Sequence, residues 1–543
     1  MLHTKTSSIN SILSNKKHSV NSECFYLNHI SRNDFMLNKR GAGVLMHISS
    51  IPSEYGVGVF DENCLSFIDK LKEMDFGYWQ VLPFNPVDDA NSPYCSSSAF
   101  AGNFMFIDPA GLMKEGLVSK ADVDENVYGG SPYTADYEFA AQKRMNLLKK
   151  AFMNINAETA NAVREFEKEN PWVVDFSLFM SIREANDKKP WWEWDEEYAR
   201  YGTFMQKHRY DFEEQSAFWR FVQYLFFKQW SEIKSYANEK GIAVIGDMPI
   251  YVAMDSVDVW ANLCQFKIDE ETLKPSKVAG VPPDYFSEEG QLWGNPQYDW
   301  DKMKNEGYGW WLSRLGAALK TYDVVRIDHF RAFASYWEVP AESETAKNGS
   351  WAIGPRMDFF EKVFEKYPDA PIIAEDLGIF GEDVVKLLED TNFPGMKVVQ
   401  FGFDPDGDFS HLPHNSGVNS VNYVGTHDNN TILGWLWEAE ERQRRFALNY
   451  IGFDGENWGD GGYHSKSCRK VIEAVWRSSS NTAVVAFQDM CGFGSDARMN
   501  IPSVPEKNWR FRTTAETINS MDAQYFKKLN STFRRTYPVF DLK

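Results

Sequence analysis

The feature that most constrains this chain is a pattern repeated along it: a short, β-branched apolar run that stops at an acidic residue. VVRIDHFRAF (324–333) stops at Asp328, PIIAEDLG (371–378) stops at Glu375, and NYVGTHDNN (422–430) carries Asp428. Branched residues pack well on a pleated surface, and short apolar runs of this kind read as buried parallel strands. Strands that each deliver an acid at the C-terminal end match the way a (β/α)8 barrel assembles a site from several strand ends. A single Asp there is ordinary, because Asp also starts turns. Recurrence along the chain makes that explanation the weaker one.

Five further runs complete the rhythm: GVLMHISS (43–50), YWQVLPF (78–84), AVIGDMPIYV (243–252), MKVVQFGF (396–403) and TAVVAFQDM (482–490). The fold class is therefore α/β, a (β/α)8 TIM barrel with helical and loop subdomains inserted at about 85–240 and 253–320 and no β-sandwich behind it. Within the first insertion, Phe218, Phe221, Val222, Leu225 and Trp230 recur at helical spacing over 212–240, with Gly241 as the stop. Gly246 and Pro249 predict a kinked third strand, with Asp247 at the kink. Asp247 reads equally well as a cleft residue and as a hydrogen-bonded structural one. In the second insertion, GVPPDYFSEEGQLWGNPQYDW is too rich in Gly and Pro for helix or central strand. Its Asp284, Tyr285, Phe286 and Trp293 supply polar tips and flat faces, so it reads as a binding loop or a lid. Residues 1–35, rich in Ser and Asn and without period, read as a disordered extension, leaving 36–543 as the catalytic unit. A transit peptide is the lesser alternative, since the stretch is not Arg-rich.

Composition narrows the partners. A formal charge of −20 argues against nucleic acid and against an anionic membrane, both of which need clustered Lys and Arg, and leaves a neutral ligand open. The six Cys are scattered without CxxC or metal-ligand His spacing, so reduced thiols of a cytoplasmic protein are expected, with no metal and no cofactor. The acidic DPDGD (404–408) departs from the EF-hand pattern, with Pro405 at its second position and Asn415 at its twelfth, and reads as a solvated turn. No run of eighteen apolar residues and no signal-peptide hydrophobic region is present.

These acid-ending segments, together with SPYCSSSAFAGN (92–103) and the 280–296 loop, resemble the 4-alpha-glucanotransferases of the amylomaltase or disproportionating-enzyme family, from about residue 41 onward. The resemblance implies that Asp328 is the nucleophile, Glu375 the general acid/base, and Asp428 the residue that grips sugar hydroxyls and stabilises the transition state. It also implies substrate-binding roles for Ser92, Tyr94, Arg326, His329, His427, Asp284, Tyr285, Phe286, Trp293 and Asn295, with Tyr94 stacked beneath the sugar. The implied partners are maltooligosaccharides, starch or glycogen-type glucans, and glucose as acceptor.

The residues add physical expectations. Side chains alternate along a strand, so Arg326 and Asp328 share a face, and the guanidinium is expected to keep Asp328 ionised with a depressed pKa. Glu375 needs the opposite, a pKa raised by nearby negative charge and partial burial, while Asp376 points elsewhere. A separation of about 5 to 5.5 Å between Asp328 and Glu375 would give retention through a covalent glycosyl-enzyme. Spacing does not decide between transfer and hydrolysis, and a glucan-binding barrel without catalysis is the third reading.

Overall fold

The computed structural model describes residues 37–283, 288–378, 381–504 and 506–536. The expected extension over 1–35 and the candidate binding residues Asp284, Tyr285 and Phe286 lie outside the described residues. The strands, numbered along the chain, are β1 Gly41–Leu45, β2 Tyr78–Gln80, β3 Ala243–Met248, β4 Ile268–Asp269, β5 Lys274–Pro275, β6 Lys277–Val281 and β7 Gln291–Pro296. They continue as β8 Val324–Ile327, β9 Ser335–Pro340, β10 Ser350–Ile353, β11 Ile372–Ala374, β12 Gly395–Val398, β13 Ser420–Tyr423 and β14 Thr482–Ala486.

Eight of these close into a parallel barrel in the order β1-β14-β13-β12-β11-β8-β3-β2. Each of the eight apolar runs forms one barrel strand, but the strands are shorter than the runs. β2 stops at Gln80, β3 at Met248, and β12 passes at Val399 into a 3-10 turn. Apolar residues that follow the strands, among them Leu82, Phe84, Ile250 and Phe403, remain buried beyond the strand ends. β3 runs as one strand through Gly246, whose role is close approach: a Cβ there would lie 2.1 Å from the Tyr322 ring. The missing side chain thus seats Tyr322 against the strand.

The chain between β2 and β3 folds into helices, including Tyr137–Met153, Trp172–Ala185 and the long Glu213–Glu239. The long helix buries Phe218, Phe221, Val222, Leu225, Phe226, Trp230 and Ile233, a stripe that packs on the Trp172–Ala185 helix and on the barrel. It stops where the sequence placed its end, with Gly241 at φ +80° and the Ile242 N–H returning to the Ala237 carbonyl.

The second insertion is more regular than its Gly and Pro content suggested. Residues 291–296 form β7, paired antiparallel with β6, and β9 and β10 from the loop after β8 extend this into a four-stranded sheet, β10-β9-β6-β7. The loop expected over 280–296 is therefore largely a hairpin. β7 tolerates its Gly and Pro because it is an edge strand, where a missing ladder hydrogen bond costs little. The sheet stands beside the C-terminal ends of β3 and β8, over the barrel mouth.

At the opposite end, the fully buried Arg535 donates to the carbonyls of Gly41 (3.1 Å), Asn481 (3.1 Å), Trp476 (3.1 Å) and Ser478 (3.3 Å), tying the end of the described chain to the β1–β14 seam.

Candidate active site

Asp328 and Glu375 are each the first residue beyond their strand, β8 and β11, which are barrel neighbours with Ile327 opposite Ala374. The two acids thus leave adjacent strands at the same level. His329 follows Asp328 in the left-handed conformation (φ +53°), a backbone state costly for a residue other than Gly. Its N–H meets the Glu375 Oε2 at 2.6 Å, while the Leu377 N–H holds Oε1 at 2.7 Å. Asp376 points the other way, accepting from the Met396 N–H at 2.6 Å.

Arg326 and Asp328 do share a face, with Nη1 3.0 Å from the Asp328 Oδ1. The expected depressed pKa is, however, a correction: burial pushes Asp328 up to about 6, and Arg326 only partly offsets this. Asp247 adds to the effect of burial: it is the cross-strand partner of Arg326, and its two oxygens each lie 2.7 Å from the same Nη1. Asp247 takes the shorter contacts and adds its own negative charge beside Asp328. Burial also pushes Glu375 up, to about 8; Arg326 opposes this and the Asp328 charge adds to it, the direction the acid role requires.

Asp428 is delivered by the loop after β13, five residues past Tyr423. Burial works against its charge, but His427 (Nε2 3.3 Å from Oδ2), the Asn500 amide (2.6 Å to Oδ1) and Arg326 together hold it at about 2. Burial likewise disfavours protonated His427, and the Asp428 carboxylate overcomes it, lifting the imidazole above its ordinary value. Among the described residues no carboxylate offsets the burial of His329, and burial followed by the Arg331 charge lowers it to about 3.

The aromatic walls close on these groups. Tyr94 stacks on His427 (5.1 Å between centroids, 19°) and donates its hydroxyl to the Asp247 Oδ2 at 2.8 Å. Trp293, 38% exposed on β7, meets the His329 ring at 4.8 Å and 76°. Asp328, His329, Glu375, His427, Asp428, Arg326, Tyr94 and Trp293 are therefore brought together. Ser92 shapes the turn before Tyr94, accepting from the Tyr94 N–H at 3.3 Å, and the Asn295 amide is engaged by the Val252 carbonyl at 2.9 Å.

Sequence reasoning left Asp247 undecided and missed others. Arg498 donates to the Asp428 carbonyl at 2.6 Å, beside Asn500 on the same loop, and Trp509 backs both Tyr94 (5.5 Å) and His427 (5.8 Å). His47 lies buried beneath, its Nδ1 accepting from the Leu82 N–H at 3.2 Å. Of these, only Asp247 carried a local signal, an acid within a barrel strand.

Among the described residues, no group of three or more His, Cys, Asp or Glu side chains is placed to hold a metal. In the 404–408 turn, Asp406 pairs with Arg442 at 2.6 Å and Asp408 caps the next turn through the Ser410 N–H at 2.7 Å.

A closed parallel barrel with paired carboxylates at its C-terminal rim and aromatic walls around them defines a carbohydrate-active (β/α)8 enzyme. The chain belongs to the 4-alpha-glucanotransferase family, whose profile matches residues 46–517. It is 40% identical over 498 residues to a 4-alpha-glucanotransferase of Clostridium butyricum, covering 90% of this chain and 100% of that one. Similarity to the Thermus thermophilus 4-alpha-glucanotransferase is also 40%, over 87% of this chain and 94% of that one. An amylomaltase from Streptococcus agalactiae, solved in complex with acarbose, superposes with a TM-score of 0.87 at 38% identity, covering 92% of this chain and 100% of that one. Members of the family transfer alpha-1,4-glucan segments by a retaining mechanism.

Proposed function

We propose that this protein cleaves an alpha-1,4 bond of a donor maltooligosaccharide, holds the released segment on Asp328, and passes it to the 4-hydroxyl of an acceptor glucan or of glucose. The Asp328 carboxylate attacks the anomeric carbon as the glycosidic C–O bond breaks, and Glu375 gives its proton to the leaving oxygen. Glu375, now ionised, takes the proton of the acceptor 4-hydroxyl as that oxygen displaces the Asp328 ester. The second inversion restores the alpha configuration. Asp428, held as an anion, accepts from sugar hydroxyls and balances the positive charge that develops on the ring. Trp293 and Tyr94 wall the site and limit water while the ester persists.

The observation that carries this reading is the level, cross-strand placement of Asp328 and Glu375. Neighbouring strands stand about 4.8 Å apart, which suits the roughly 5 to 5.5 Å separation of a retaining pair. Starch and glycogen-type glucans are proposed as donors, and no part is assigned to nucleic acid or membrane; among the described residues no helix is long and apolar enough to cross one. A cytoplasmic location is proposed from the scattered thiols; two plant relatives at 36–37% identity are named as chloroplastic/amyloplastic.

Incubation with maltotriose tests the reading. The expected result is a ladder of longer and shorter oligomers plus glucose, at constant reducing-end concentration. A steady rise in reducing ends would instead make the protein a hydrolase, and binding without turnover would make it a glucan-binding barrel.

A further inference from the structure

The four-stranded sheet carries a second aromatic feature that the reaction at Asp328 does not use. β10, the edge strand opposite β7, presents Trp351 (45% exposed) and Ile353 (69% exposed) two residues apart. Edge strands are ordinarily blunted by charge or Pro, and adjoining large apolar groups left in solvent mark binding surfaces. Trp351 is held in place. The Arg331 guanidinium lies 4.2 Å from its ring centroid, and the Trp337 indole packs against it at 5.2 Å and 70° while donating its own N–H to the Ala346 carbonyl at 2.8 Å.

Arg331 connects this surface to the reacting centre. It sits in the turn Phe330–Phe333 directly after Asp328 and His329, is itself buried, and lies within electrostatic reach of Glu375. One side chain therefore spans from the neighbourhood of the acid to the underside of the indole. Three interstrand steps of about 4.8 Å separate the edge strand of Trp351 from that of Trp293, and the register sets Trp351, Trp337 and Leu292 on one face of the sheet and Trp293 on the other, so it is Arg331 that links Trp351 to the site. A rigid, half-bare indole beyond Arg331, on the far edge of the sheet, offers a flat face to the C–H surface of a sugar several units from the cleaved bond, beyond the reach of a bound glucose.

We propose that Trp351, braced by Arg331 and Trp337, is a stacking platform for the distal part of an alpha-1,4-glucan chain and makes the enzyme favour long chains over short ones. This rests on the transferase reading above and adds the residue that sets chain-length preference.

The test compares kcat/KM for transfer from maltotriose and from maltoheptaose in the parent and in Trp351→Ala. The ratio of the maltoheptaose to the maltotriose value is expected to fall about tenfold, mainly through KM for the longer chain, and Trp351→Tyr is expected to restore most of it. A ratio equal to the parent's in Trp351→Ala, or one that Trp351→Tyr fails to recover, overturns the platform. Should truncation unfold the edge strand, the decision moves to Asp328→Asn protein with Trp351 intact. Hydroxyl-radical footprinting should then show Trp351 protected by maltoheptaose and not by maltose, and equal labelling in both overturns the proposal. A parent that transfers nothing defeats the transferase reading, whereas a normally active parent with an unchanged ratio defeats only the platform.

Discussion

Arg326 faces two carboxylates with one nitrogen, and this division explains the electrostatics of the centre. Burial raises Asp328, and Asp247 both shares the guanidinium and adds its own charge, so Asp328 has a pKa of about 6, above the roughly 3.9 of an unfolded Asp. A raised carboxyl contributes stability below the unfolded pKa and loses it as pH rises through the folded one. Asp328→Asn should therefore abolish transfer, by at least about a thousandfold, while maltoheptaose binding persists. It should also melt higher than the parent at pH 8, with the gain vanishing toward pH 4, as read by calorimetry across that range. Equal melting temperatures at pH 8 would contradict the burial cost assigned to Asp328. Asp247→Asn gives Arg326 back to Asp328 and removes a neighbouring negative charge, so the acid limb of kcat/KM should move to lower pH. The sequence told which face Asp328 and Arg326 share but gave the wrong sign for the pKa. A two-residue spacing cannot reveal a competitor 79 positions upstream that reaches the guanidinium only through barrel register.

At the scale of the element, Trp293 shows what the β6–β7 hairpin does for the site. A structureless loop would have to order an indole against His329 at an entropic cost, whereas an antiparallel edge strand presents it with the backbone already fixed. If that ring limits water at the Asp328 ester, Trp293→Ala should raise the share of hydrolysis among all turnovers by about tenfold, about 1.4 kcal/mol in the partition between water and sugar. The measurement is reducing ends gained per transfer event with maltotriose, and an unchanged share removes Trp293 from that role. Barrel strands were legible because burial on both faces demands continuous branched apolar runs, which few other settings produce. The satellite sheet was not, since β7, β9 and β10 are partly exposed, β7 carries both Gly and Pro, and the sheet joins segments from the loops after two different barrel strands. Arg498 and Asn500 escaped for a similar reason, as a loop after the last strand reaches Asp428 only once the barrel has closed.

For the whole molecule, the two ends of the barrel separate reaction from closure. Asp328, Glu375 and Asp428 sit beyond the C-terminal ends of their strands, while Arg535 holds the N-terminal end of the β1–β14 seam. Arg535 is fully buried, and burial, with Arg40 nearby, lowers it to about 9, so its charge is retained at neutral pH through hydrogen bonds to four carbonyls, of which those of Trp476 and Ser478 also accept from Arg40. Arg535→Met preserves much of the apolar stem but removes the charged N–H donors of the guanidinium from the seam and leaves Arg40 to serve, of these carbonyls, only those of Trp476 and Ser478, a loss of about 3 kcal/mol. The variant should show a clearly lower urea midpoint and, at 25 °C, the parent's kcat for maltotriose per folded molecule, because nothing between the seam and the rim moves when the barrel remains closed. A fall in kcat at full folding would mean that strain at the base reaches Asp328 through the strands, and the barrel would then be a mechanically coupled unit rather than a scaffold whose two rims act independently.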